Sequence, residues 1–142
     1  MPDLAPTWVT APGVRERTIA VAEAAAQVWG GADFGNVTIR WVYVVTDCGG
    51  NGSDIVLGCT REEGYPWDRE TTISVTPMAG ACPEATALAH EIGHVALGAE
   101  HGHDDPRWRD AAFWQRMIDA LAPLTPDDPW CQWGVAMLAA WH

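Results

Sequence analysis

Lysine is absent from this chain of 142 residues, and only eight arginines stand against 19 acidic residues. The formal net charge at pH 7 is therefore −11. A surface of this sign repels phosphate groups, so the sequence argues against binding to nucleic acid or to an anionic membrane. An acidic surface could favour basic peptides, but a high net charge more commonly serves solubility.

Long apolar runs are also missing. No stretch approaches the roughly 18 uninterrupted apolar residues that a membrane-spanning helix requires. Residues 1–10 lack both the basic start and the apolar stretch of a signal peptide. Because 48% of the residues are hydrophobic and 19% are charged, we expect one soluble folded domain over residues 1–142.

Cysteine pairs of the form Cys-x-x-Cys do not occur. The four cysteines are Cys48, Cys59, Cys82 and Cys131. Their even number and wide spacing favour two disulfides over a structural zinc site, and three pairings are possible. Disulfides would indicate an exported protein, whereas the alternative is four buried free thiols in a cytoplasmic protein.

The most informative stretch that is present reads H-E-I-G-H, at residues 90–94. His90 and His94 are four residues apart, so on a helix both imidazoles lie on one face and reach one metal ion. Glu91 stands where its carboxylate reaches a water at that ion without binding the ion itself. Pro83 and Gly98 are placed to begin and end the helix. The pattern predicts a catalytic site with one Zn²⁺ per chain.

Strand patterns cluster in the first half of the chain and helix patterns in the second. This arrangement predicts an α+β fold. An irregular lead is expected at 1–12 and a polar loop at 61–70, and the strand at 55–60 is expected to pair with the strand at 37–45. The expected helices are 14–29, 85–96, 106–121 and 130–141, and the expected strands are 37–45, 55–60 and 71–76.

The H-E-I-G-H motif resembles that of the zincin metallopeptidases, which hold zinc with three protein ligands. In the metzincin pattern a third His follows at a fixed distance, and His101 fits that pattern only with one inserted residue. In the SprT-like pattern a third His precedes a helix that opens with Pro and carries an aromatic residue. His103, Pro106 and Trp108 resemble this second pattern with one extra residue. The closest resemblance, over 81–121, is therefore to the SprT-like type, and the implied ligands are His90, His94 and His103, with His101 as the alternative third ligand.

The gluzincin pattern is disfavoured because no Glu follows Glu100. The zincin resemblance implies an N-terminal helix, a mainly antiparallel sheet of three or more strands, an active-site helix and C-terminal helices. It also implies peptide hydrolysis, in which Zn²⁺ polarises the scissile carbonyl and lowers the pKa of a water, and Glu91 moves the proton of that water to the leaving amine. The nearby candidates to orient the ligands are Asp104, Asp105 and Asp110, although capping of the following helix better explains Asp104 and Asp105.

The expected partner is a peptide or an unfolded protein, bound by a monomer. The strand just upstream of the motif helix could offer an exposed edge to an extended peptide. Two other classes remain open: a zinc-binding interaction module without turnover, and a zinc hydrolase of small amides. Glu91 argues against the first class, because a purely structural zinc site has no need of this carboxylate. Nothing in the sequence separates a peptidase from a small-amide hydrolase.

Overall fold

The computed structural model describes residues 7–10, 16–30, 36–42, 58–65, 68–76, 82, 85–98, 103–125 and 128–141. These residues form helices and one sheet, which confirms the predicted α+β class. The first half contains β1 (Thr7–Thr10), α1 (Glu16–Trp29), β2 (Asn36–Trp41), β3 (Gly58–Tyr65) and β4 (Asp68–Val75). The second half contains α2 (Thr86–Leu97), a 3-10 helix (Pro106–Arg109), α3 (Ala111–Leu121), a second 3-10 helix (Ala122–Leu124), α4 (Pro129–Ala136) and α5 (Leu138–Trp141).

The described sheet has four strands in the order β1-β2-β4-β3. Strands β1 and β2 are parallel, β2 and β4 are parallel, and β3 is antiparallel to β4. The expectation of a mainly antiparallel sheet is therefore wrong. Parallel neighbours need a crossover, and α1 supplies the crossover between β1 and β2. Strand β1 falls in the lead that was expected to be irregular, because four residues are too short to display a periodic pattern.

The hairpin of β3 and β4 corrects a second expectation. Residues 58–60, the described part of the strand predicted at 55–60, pair with β4 and not with β2. The described residues of the loop predicted at 61–70 belong to β3 and β4. Charged residues such as Arg61 and Glu63 suggested a loop. However, both are exposed on the last strand of the described sheet, where charged side chains are well tolerated. The strand predicted at 71–76 is confirmed as the greater part of β4.

The predicted helices at 14–29 and 85–96 are confirmed as α1 and α2 within two residues at each end. The helix predicted at 106–121 is interrupted at Asp110, whose backbone is extended at φ −92° and ψ 108°. The Asp110 carboxylate accepts a hydrogen bond from the backbone N–H of Ala112 and so caps α3. The helix predicted at 130–141 is present as α4 and α5.

The core is one cluster of buried residues, to which α1, α2, α3 and strands β2 and β4 all contribute. Trp29, at the end of α1, is 1% exposed, and its indole nitrogen donates a hydrogen bond of 3.1 Å to the carbonyl of Ala89 in α2. Its ring packs against Phe113 and Trp114 of α3, at centroid distances of 4.4 and 5.7 Å. The end of α1 therefore holds the motif helix α2 and the following helix α3 together. None of the helices described here has the length and apolar character needed to cross a membrane.

A disulfide joins Cys82, four residues before α2, to Cys131 in α4. Cys59 on β3 is also disulfide-bonded, and no cysteine among the described residues is free. Cys48 lies outside the described residues. The covalent link ties the approach to α2 to the C-terminal part of the chain.

Candidate metal centre

Helix α2 presents the two histidines of the motif on one face. The Nε2 atoms of His90 and His94 are 3.3 Å apart. The helix is well defined at its end, where Gly98 adopts a φ of 94°, a conformation that favours glycine. This confirms the placing of a C-terminal cap at Gly98. The four-residue spacing thus produces the converging pair of imidazoles that was expected from the sequence.

His103 completes the cluster from outside the helix. Its Nε2 atom lies 3.1 Å from that of His90, and one nitrogen from each of the three imidazoles lies within 4.8 Å of the others. His90 and His94 are half-buried, whereas His103 is exposed. The structure therefore brings together His90, His94 and His103, and these three residues could hold a metal ion. His101, the alternative third ligand, lies outside the described residues.

The spacing of the nitrogens fits the geometry of a tetrahedral ion. Two nitrogens bound to one tetrahedral zinc, each at about 2.0–2.1 Å, lie about 3.3 Å apart. The separations of 3.3 and 3.1 Å match this value. In addition, burial lowers the pKa of His94 to about 4, with a further contribution from the charge of His103. The imidazole of His94 is thus neutral at pH 7, the form that binds metals.

Glu91 is directed from α2 towards β3. The residue is 6% exposed, and its Oε1 accepts a hydrogen bond of 2.8 Å from the hydroxyl of Thr60. Burial raises the pKa of the Glu91 carboxyl to about 7, although the bond from Thr60 acts in the opposite direction. A carboxyl with a pKa near 7 both accepts and releases protons at neutral pH.

Gly58 makes room for this carboxylate. A Cβ atom at position 58 would lie 2.9 Å from Oε2 of Glu91 and 3.0 Å from its Cγ. Contacts this short force a displacement, so the close approach of β3 to Glu91 depends on a residue without a side chain. Neither Gly58 nor Thr60 could be predicted from the sequence, because a contact such as that of Thr60 with Glu91, 31 positions apart, leaves no local pattern.

Trp108 lies against all three histidines. The distances from its ring centroid to those of His90, His94 and His103 are 4.8, 4.9 and 4.7 Å. The residue is 2% exposed and belongs to the 3-10 helix that follows His103. The SprT-like resemblance included this aromatic position but did not indicate a role for it.

Two of the three aspartates proposed as orienting residues act as helix caps. The carboxylate of Asp105 accepts a hydrogen bond of 2.9 Å from the backbone N–H of Arg107, and Asp110 caps α3. Asp105 also pairs with the guanidinium of Arg107 at 2.9 and 3.1 Å, which lowers the pKa of Asp105. Another guanidinium nitrogen of Arg107 donates to the carbonyl of Trp29 at 2.7 Å. The segment that carries His103 and Trp108 is therefore fastened to the end of α1.

The strand edge nearest the site also differs from expectation. The strand immediately upstream of α2 is β4, which lies between β2 and β3 in the sheet. The strand that contacts Glu91 is β3, the last in the described order. Any strand edge offered beside the histidines therefore belongs to β3 and not to β4.

The chain was compared with protein-family models, with curated proteins and with solved structures. None of these comparisons found a match.

Proposed function

We propose that this protein is a zinc-dependent metallopeptidase. The observation that carries the proposal is the convergence of three imidazole nitrogens, at 3.1 and 3.3 Å, beside the buried carboxylate of Glu91. Three neutral nitrogen donors suit zinc and leave a fourth position of a tetrahedral site for a reactant. The ligands in this proposal are His90, His94 and His103.

Zinc bound here would supply Lewis acidity, which polarises a scissile carbonyl and lowers the pKa of water. The residues of the chain supply the rest of the chemistry. Glu91 accepts the proton of the attacking water at its carboxylate and delivers it to the leaving amine. Thr60 holds one oxygen of that carboxylate, and burial excludes competing water from around it.

Strand β3 is the proposed support for the substrate. It ends the described sheet and also contacts Glu91, so an extended peptide that pairs with its outer edge would pass close to the proton-transferring group. This arrangement favours peptides or unfolded proteins over small amides, which have no backbone to pair with a strand.

The test compares cleavage of a labelled, denatured casein by zinc-loaded wild type and by Glu91→Gln, with bound zinc quantified by mass spectrometry. Glutamine keeps an acceptor for Thr60 but cannot take a proton. Glu23→Gln, which alters an exposed carboxylate in the middle of α1, is the matched control. We expect one zinc in every protein, cleavage by the wild type and the control, and a loss of about 10²–10⁴-fold in Glu91→Gln.

The other outcomes identify the competing classes. If wild type and Glu91→Gln both bind zinc and neither cleaves casein, the peptidase proposal fails. A panel of small amides then separates a small-amide hydrolase from a zinc-binding module without turnover. If the wild type binds no zinc, the metal site itself is wrong.

A further inference from the structure

For three imidazole rings to converge on one point, each histidine side chain must be kept in one particular rotamer. In this protein one indole ring contacts all of them. The centroid of Trp108 lies between 4.7 and 4.9 Å from each of the three histidine rings, with interplanar angles of 47°, 38° and 82°. These distances correspond to direct ring packing. The three histidines are thus in contact with the ring of Trp108, and two of them are also carried by α2.

The position of Trp108 is determined by contacts on several sides. Its backbone N–H donates to the carbonyl of Asp105 at 3.2 Å, and its carbonyl accepts a bond of 3.1 Å from the indole of Trp114. The ring of Trp29 packs against it at 4.7 Å. The backbone of Trp108 is thus bonded within the 3-10 helix and to α3, and its ring packs against α1.

Gly93, inside the H-E-I-G-H motif, permits this arrangement. A Cβ atom at position 93 would lie 2.7 Å from the ring of Trp108 and even closer to that of Trp29. The two indoles therefore pack directly against the backbone of α2, between the turns that carry His90 and His94. The glycine of the motif and the tryptophan after the third histidine form one packed unit.

We infer that Trp108 is a positioning residue for the metal centre: its buried ring orients the three histidines so that their nitrogens converge before metal binds. This inference rests on the metal-binding part of the proposed function. Two physical effects support it. Packing restricts imidazole rotamers whose freedom would otherwise be lost on binding, and an apolar wall limits the access of water to the ligands.

The test measures Zn²⁺ affinity by competition with a chromogenic chelator, together with the visible spectrum of the Co²⁺-loaded protein. The variants are Trp108→Leu, which removes the aromatic surface, and Trp108→Phe, which retains part of it. Leu121→Ala is the control for lost stability, because Leu121 is fully buried at the far end of α3, about 15 Å along the helix axis from its start. Urea unfolding of each metal-free protein verifies that it is folded.

We expect Trp108→Leu to bind Zn²⁺ about 10–100-fold more weakly than the wild type and to lose intensity in the Co²⁺ ligand-field bands. Trp108→Phe should restore most of both signals, and Leu121→Ala should leave both unchanged despite its lower stability. Wild-type affinity and an unaltered Co²⁺ spectrum in Trp108→Leu would overturn the inference. An equal loss of affinity in Leu121→Ala would also overturn it, because the effect would then follow stability. Failure of the wild type to bind either metal would instead refute the metal site.

Discussion

Thr60 on β3 donates a hydrogen bond of 2.8 Å to the carboxylate of Glu91 on α2, across 31 positions of sequence. The same hydroxyl oxygen lies 3.2 Å from the backbone carbonyl of Glu91. One threonine thus links the last strand of the described sheet to the helix that carries two of the histidines. The proposed proton-transferring group is held by the strand against which we place the substrate.

Replacing Thr60 tests this link. Thr60→Val keeps the shape of the side chain but removes the hydroxyl. The buried carboxylate of Glu91 then loses this hydrogen-bond donor. We expect a loss of about 1–3 kcal/mol in the free energy of unfolding, measured with urea, and a lower kcat on casein. Thr60→Ser restores the hydroxyl and should recover both quantities. If the serine and valine variants behave alike, the hydroxyl has no part in holding Glu91.

Gly93→Ala should damage both the fold and the metal centre. Alanine favours helix by about 1 kcal/mol, but its Cβ would overlap two buried indoles, and overpacking of this kind costs about 1–3 kcal/mol. We expect net destabilisation in urea and weaker Zn²⁺ binding, because Trp108 must move. Gly30→Ala is the control: it has a φ of 77° but no atom within 4 Å of the added Cβ. It should lower stability by about 1–2 kcal/mol through backbone strain and leave Zn²⁺ affinity unchanged. Unaltered metal affinity in Gly93→Ala would contradict the packing described above.

His103→Ala distinguishes the two possible third ligands. The Nε2 of His103 lies 3.1 Å from that of His90, so its removal should reduce Zn²⁺ affinity by more than the roughly 10–100-fold that loss of a supporting residue produces. His101→Ala should retain affinity close to that of the wild type. Competition with a chelator measures both variants. The opposite result would make His101 the ligand and favour the metzincin spacing.

Removal of the Cys82–Cys131 disulfide should destabilise the whole domain. The cysteines are 49 residues apart in sequence, and a closed loop of that length contributes about 4 kcal/mol in the chain-entropy description. The double variant Cys82→Ala/Cys131→Ala should therefore unfold at a clearly lower urea concentration without reductant. Its Zn²⁺ affinity, measured under native conditions, should change little, because neither cysteine belongs to the histidine cluster. Unfolding at the wild-type urea concentration would show that the disulfide contributes nothing to stability.

Local spacing was enough to predict α2 and the residues that it presents. His90, Glu91 and His94 lie within five residues, and Gly98 ends the helix as expected. Strand β1 and most of β3 were not predicted as strands, for a different reason. Strand β1 has only four residues, which are too few to show a periodic pattern. The charged residues of β3 are compatible with either a loop or a strand at the edge of a sheet, and only the pairing with β4 distinguishes the two.

The helix that bears two histidines, the glutamate beside them and the α+β class could be predicted from the sequence, because they depend on periodicities of a few residues. Three other relationships appear only in the folded chain: β3 faces Glu91, His103 joins His90 and His94, and Trp108 packs against all three histidines. Those relationships connect residues whose distance in sequence carries no periodic signal. For His103 and Trp108, two contacts create the relationship: Arg107 donates to the carbonyl of Trp29, and the ring of Trp29 packs against Trp108, so residues 103–109 are held against the end of α1.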